Sequence, residues 1–231
     1  MRIAILAAVA AAVIAATGAV AGPAWLNHGD APAVADAAVA PGDTLAVIYS
    51  GDGGWGPLDE RLAQGLARRG VPVVGYSSPL YFWTARTPQR AAADLAATLR
   101  RQMGAWNRRR VMLIGYSFGA DALPAIVPHL PADLRDRVRL VALIGLGPRG
   151  ELSFRPTSWL GRPSPGAFAT APAVAAMKGW PMLCVYGTGE RASACPALPP
   201  ELIHRVALAG GHHFDGHYDA LTRAILDNLP P

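Results

Sequence analysis

The chain is poor in cysteine, poor in charge and, past its N-terminus, lacks any long uninterrupted apolar run. Two cysteines in 231 residues exclude a disulfide-dense scaffold. Charged residues make up 16%, and the basic excess of +5 is spread along the chain. A nucleic-acid patch would cluster such residues with aromatics. The one short run, Arg108-Arg109-Arg110, precedes a strand pattern and reads as a solvated face. No segment beyond the leader is long enough to cross a bilayer, because charges and prolines break the other apolar blocks. No internal repeat is apparent, so a solenoid or propeller is not expected.

What is present begins with an address. Met1-Arg2 forms a short positive region, Ile3 to Ile14 an apolar one, and Ala19-Val20-Ala21 a small-x-small cleavage site. We expect a signal peptide over 1–21 and export to the periplasm; an N-terminal anchor is the alternative reading. Residues 22–43 read as a linker with an ill-defined edge segment. Residues 44–231 remain for a single domain, long enough to bury a sizeable core. In an oxidising compartment, Cys184 and Cys195 are expected to pair, the alternative being two buried free thiols.

From Thr44 on, short apolar runs alternate with amphipathic stretches. Strands are expected near 44–50, 71–76, 110–115, 138–144, 181–186 and 203–208. Helices follow Pro57, Pro88 and Ala120, and a last one covers 218–229. Continuous rather than alternating apolar strands point to a mostly parallel sheet covered by helices on both faces, an α/β fold. Residues 149–180 show no clear period and hold Phe154, Trp159, Phe168 and Trp180; a minimal lid or substrate-facing excursion is expected, with a plain surface loop as the alternative.

The organising stretch is Val111 to Ala120, where an apolar strand runs into Gly115-Tyr116-Ser117-Phe118-Gly119 and then directly into a helix pattern. A serine at so sharp a turn has strained backbone angles and needs neighbours without side chains two positions either side. Ser117 is therefore the expected nucleophile, and the Phe118 N–H one donor of an oxyanion hole. A serine hydroxyl needs a base. His212 and His213 lie beside Gly210-Gly211 just past the last strand. His212 is preferred and His213 is its rival; His217, next to the closing helix, ranks below both. Glu190, after the preceding strand and between the cysteines, is the expected acid, with Asp215 as the alternative.

A second oxyanion donor is expected from Gly54 or Trp55 in the turn Gly51-Asp52-Gly53-Gly54-Trp55. That turn lacks the lysine and hydroxyl residue of a nucleotide-binding loop. Asp52, Asp121, Asp215 and Asp219 lie in or beside the site loops and would suit a cationic group, or else serve as capping and turn residues. Trp55, Tyr81, Phe82, Trp83 and Trp159 either line an apolar groove or belong to the core. Nothing in this chemistry requires a metal or organic cofactor.

With the elbow, the Ser50-Gly51-Asp52-Gly53-Gly54-Trp55 turn and the Gly210-Gly211-His212-His213-Phe214-Asp215-Gly216 segment taken together, the chain resembles the VirJ/AcvB family of bacterial periplasmic proteins. The resemblance runs from about Thr44 to Leu229. It implies an α/β-hydrolase fold and a serine hydrolase releasing lysine from lysyl-phosphatidylglycerol at the periplasmic face of the inner membrane. Some members are associated with virulence and type IV secretion. Carried over, it makes Ser117 the nucleophile, Glu190 the acid and a histidine of the 212–213 pair the base, and it supports the cysteine pairing. Its implied partners are an aminoacylated phospholipid and envelope secretion components. His217 stands where a second acidic residue is expected, a position that bears on amino-acid specificity. Two other functions compete: a generic periplasmic carboxylesterase or thioesterase, and a weakly active hydrolase-fold partner of a secretion system.

Overall fold

A computed structural model describes residues 33–34, 41–155 and 166–230. The expected leader, most of the linker and Trp159 lie outside the described residues.

Strands β1 (Ala33–Val34), β2 (Thr44–Tyr49), β3 (Val73–Tyr76), β4 (Arg110–Tyr116), β5 (Val138–Ile144), β8 (Met182–Gly187) and β9 (His204–Leu208) form one sheet. Their order is β1-β3-β2-β4-β5-β8-β9, which puts β4 at the centre. All neighbours pair in parallel except β1, which runs antiparallel along the β3 edge. Every residue of β2 is buried, as expected of a strand with helices over both of its faces.

Alternate side chains feed two cores. Leu45, Val47 and Leu113 pack with Leu95 and Leu99 of α3 (Pro88–Ala105) and with Leu123 and Ile126 of α4 (Phe118–Ile126). On the other face Ile48, Met112 and Ile114 meet Leu58, Leu62 and Leu66 of α1 (Pro57–Ala67) and Leu221 and Ile225 of α7 (Tyr218–Asp227). Thr87 caps α3, its hydroxyl accepting from Arg90 N at 3.1 Å. Helix α4 runs through Pro124 and gives way to a 3-10 turn at Val127–His129.

Three stretches differ from expectation. The aromatic loop after β3 contains the one-turn helix α2 (Ser78–Tyr81), and α5 (Ala132–Arg135) follows the 3-10 turn. The region 149–180 holds a two-residue antiparallel pair, β6 (Arg149–Gly150) with β7 (Phe168–Ala169), and helix α6 (Thr170–Ala175). These elements are too short to leave a readable period; side-chain burial at Phe154 and Val174 holds the described parts on either side of 156–165 to the α3/α4 side of the sheet. Among the described residues, no helix is long and apolar enough to cross a membrane.

Because six strands run parallel, their C-terminal ends share one edge. That edge carries the turn after Tyr49, the Ser117 elbow, Gly145, the Gly187–Glu190 loop and the segment after Leu208. Five loops distant in sequence therefore converge on one place.

Candidate active site

Ser117 sits at φ 51°, ψ −117°, a backbone conformation strongly disfavoured for a residue with a side chain. The glycines on either side make it possible. A Cβ on Gly115 would lie 2.4 Å from the Gly119 carbonyl oxygen, and one on Gly119 would lie 2.2 Å from that of Tyr49. The turn is pinned by Ser117 N donating to Ile144 O at 2.8 Å and Gly119 N to Ser50 O at 3.1 Å. Phe118 opens α4, so its N–H belongs to the first turn, where a helix leaves amides unpaired.

His212 Nε2 stands 2.9 Å from Ser117 Oγ, and its Nδ1 stands 2.5 Å from Glu190 Oε1. The Glu190 side chain is 7% exposed and the His212 side chain 36%. The other carboxylate oxygen, Oε2, accepts from Gly187 N at 3.3 Å. Glu190 thus holds the imidazole with one oxygen and its own loop with the other. Cys184 on β8 is bonded to Cys195, 11 residues on, and the bond closes the loop that carries Glu190.

His213 turns away from the serine. Its Nδ1 lies 2.7 Å from the hydroxyl of Tyr116. Asp215 does not reach either imidazole among the described contacts; its Oδ1 accepts from Gly211 N at 3.4 Å. His217 is exposed at the start of α7, where it lines a groove with Arg61 and Arg223. Asp219 lines the same groove and lies 3.9 Å from Arg68.

The glycine turn departs from expectation. Gly54 N donates to Gly51 O at 3.1 Å, so that amide closes the turn and is not presented to the site. Trp55 lays its indole against Gly75 of β3, where a Cβ would stand 2.0 Å from Cζ3, and its Nε1 donates to Glu60 at 3.0 Å. The turn approaches the serine at Gly51 instead: a Cβ there would be 3.4 Å from Ser117 Cβ.

The aromatic residues divide. Tyr81 and Phe82 are core, at 5% and 0% exposure, while Trp83 is 65% exposed. The Trp83 ring lies 6.2 Å from Phe154, which lies 6.1 Å from Phe118. Trp83 therefore stands at the end of an aromatic row that starts beside Ser117.

Asp121 in the first turn of α4 is half-buried, and its Oδ1 accepts from Gly147 N at 2.7 Å. Burial pushes its carboxyl well above the usual range, and the nearby negative charges of Glu190, Asp52 and Glu151 add to the shift. Asp52 is exposed on the glycine turn.

Gly145, at φ 63°, carries no spacing signal of its own, because in the sequence it simply follows an apolar strand. A Cβ there would come within 2.8 Å of His212 Cε1. The signal was a glycine at the C-terminal end of the strand next to the elbow. Among the described residues, no three His, Cys, Asp or Glu side chains gather as a metal site would require.

Solved structures with this fold include Est1E from Butyrivibrio proteoclasticus, 15% identical, covering 80% of this chain and 88% of that one with a TM-score of 0.52. The thioesterase domain from the curacin biosynthetic pathway is 17% identical over 81% of this chain and 92% of that one, TM-score 0.53. An esterase from Pyrococcus furiosus is 12% identical over 84% and 85%, TM-score 0.55. At such identities the likeness establishes the α/β-hydrolase fold. No curated protein sequence matches the chain significantly. The sequence from 43 to 230 matches the family model described as bacterial virulence protein (VirJ), and the chain belongs to that family.

Proposed function

We propose that this protein is a serine hydrolase of esters or thioesters that works through an acyl-enzyme. One observation carries the reading: a serine on a strained elbow within 2.9 Å of an imidazole whose far nitrogen is held by a buried glutamate. In this reading Ser117 Oγ attacks the substrate carbonyl carbon while His212 Nε2 takes the hydroxyl proton. Glu190 accepts from His212 Nδ1–H, fixes the tautomer and stabilises the imidazolium. The developing oxyanion accepts from Phe118 N–H and from an amide of the Gly51–Trp55 turn. His212 then gives its proton to the departing alcohol or thiol. Water, deprotonated by His212, attacks the acyl-serine, and the proton returns to Ser117 as the acid leaves. The domain carrying this chemistry is 44–231, exported by a leader over 1–21.

A more specific substrate is the aminoacyl ester of lysyl-phosphatidylglycerol, met at the membrane surface. The crowd of carboxylates supports it: Asp121 lies within the field of Glu190, Asp52 and Glu151. A site of that sign favours a cationic acyl group over a neutral one. The exposed Trp83 offers an apolar surface for the lipid part. Family membership adds a virulence context, in which contact with envelope secretion components would be a separate role.

The test uses a fluorophosphonate probe, then two substrates. Labelling of the wild type and not of Ser117→Ala is expected. A wild-type chain that takes no label would make the protein a hydrolase-fold partner without covalent catalysis. Release of lysine from lysyl-phosphatidylglycerol at a higher kcat/KM than hydrolysis of p-nitrophenyl esters selects the aminoacyl substrate. The reverse order selects a general esterase.

A further inference from the structure

Two histidines stand side by side in Gly211-His212-His213-Phe214, and the proposed chemistry uses one. We infer that His213 and Tyr116 form a positioning pair that holds the His212 imidazole over Ser117, an assignment that rests on reading His212 as the base.

Tyr116 is the residue before the nucleophile and is 6% exposed. Its ring stacks on that of His212, with centroids 5.3 Å apart and planes at 29°. Its hydroxyl meets His213 Nδ1 at 2.7 Å and lies 3.4 Å from the His212 carbonyl oxygen. One side chain on the nucleophile's own strand thus touches the imidazole face, the backbone of the same histidine and the side chain of the next. Burial, and after it the charge of Asp59, pushes the phenol above its ordinary range, so it keeps its hydrogen. In the proposed pair the hydroxyl donates to Nδ1, which puts the His213 proton on Nε2.

The loop needs such a tie. Phe214 and Asp215, both non-glycine, have φ of 52° and 48°. Consecutive left-handed residues persist only where the surroundings over-determine them. Phe214 is fully buried and anchors one end. On the serine side, His212 is held by Glu190 through Nδ1 and by Tyr116 through its ring face. The two contacts fix different motions. A hydrogen bond to Nδ1 lets the ring swing about that bond, and a stacked aromatic ring stops the swing.

Removal of one neutral hydrogen bond that orients a base is expected to lower kcat about 3- to 10-fold. The experiment therefore compares Tyr116→Phe, His213→Ala, the double variant and His213→Asn with wild type, on p-nitrophenyl acetate. Tyr116→Phe and His213→Ala should each lower kcat and the rate of fluorophosphonate labelling by that factor with KM little changed. The double variant should lose no more than the worse single one, because both remove the same contact. His213→Asn, whose side chain can meet the hydroxyl near the Nδ1 position, should recover most of the rate. Melting temperatures show whether each variant is folded. Independently of activity, 15N spectra of histidine-labelled full-length protein should show His213 with its proton on Nε2, and the Nδ1 shift should move in Tyr116→Phe. Wild-type kcat in His213→Ala, additive losses in the double variant, or a His213 signal indifferent to Tyr116→Phe would each overturn the pairing. A wild type that neither hydrolyses esters nor takes the label would instead remove the reading of His212 as base, and the spectra would still judge the Tyr116–His213 contact by itself.

Discussion

Gly145 and His212 are packed so closely that no side chain fits between them: a Cβ on the glycine would stand 2.8 Å from Cε1 and 3.0 Å from Nδ1 of the imidazole. The first residue after β5 thus acts as a floor for the proposed base. Its φ of 63° is free of strain only because the residue is glycine. Gly145→Ala should push the imidazole off Ser117 and lower kcat by roughly 10- to 100-fold, the scale of a displacement of about an ångström. Stability should fall by about 1 kcal/mol. Steady-state kinetics and a urea titration check both; unchanged kcat would mean that His212 does not need this floor.

The elbow itself predicts an inverted stability order. Ser117→Ala and Ser117→Gly both remove the hydroxyl and should both abolish turnover. At φ 51° the alanine keeps the strain and the glycine sheds it. Glycine is expected to be the more stable of the two by about 1 kcal/mol, against the usual preference for alanine. Denaturation midpoints of the two variants decide it.

The disulfide links stability to the acid loop. Opening Cys184–Cys195 frees a segment with a sequence separation of 11 that contains Glu190. A loss of about 2–3 kcal/mol is expected for a closed loop of this size. Cys184→Ala/Cys195→Ala should also show a lower kcat at temperatures where it remains folded, because Glu190 then holds His212 less firmly. Thermal melts with and without reductant, paired with kinetics well below the transition, measure the two effects separately.

Asp59 predicts a pH dependence of unusual sign. The residue is 2% exposed at the start of α1; Oδ2 accepts from Gly56 N at 3.0 Å, and Oδ1 is buried with no hydrogen-bond partner among the described residues. Burial pushes its carboxyl up to about 7. Between pH 4 and 7 the folded chain keeps the proton that the unfolded chain has lost. Stability therefore falls as pH rises through this window, and the penalty is complete above pH 7. Asp59→Asn keeps an acceptor for Gly56 N and removes the charge. Its advantage over wild type should grow from pH 4 to 7, reach on the order of 2–4 kcal/mol, and then stay level. Urea midpoints across that range test it; a constant difference would show that Asp59 is ionised throughout in the folded state.

Much of the scaffold was readable because its signals are local. Leu45 to Tyr49 and Val111 to Ile114 are apolar runs that only a strand covered on both faces explains. Gly115 and Gly119 announce the elbow, since steric crowding around one serine is a matter of five residues. The small elements within 149–180 left no such trace: Arg149–Gly150 and Phe168–Ala169 are two residues each, and they exist because distant segments pair. The orientation of the Gly54 amide is hidden from the sequence for a related reason. Its position beside the site was legible, but which way its N–H points depends on the hydrogen bond to Gly51 that closes the turn.

The chain's own order of residues determined which chemical groups would meet, by setting a serine, a glutamate and two histidines each at the end of a strand. Parallel strands carry their C-terminal ends to one edge, and this follows from pattern alone. Only the tertiary structure shows which of His212 and His213 stands beside Ser117. They are adjacent and identical, and one backbone step through a loop with left-handed Phe214 and Asp215 sends one ring to Ser117 and the other to Tyr116. Such a choice depends on angles and packing summed over elements far apart in the chain, and no local pattern records that sum.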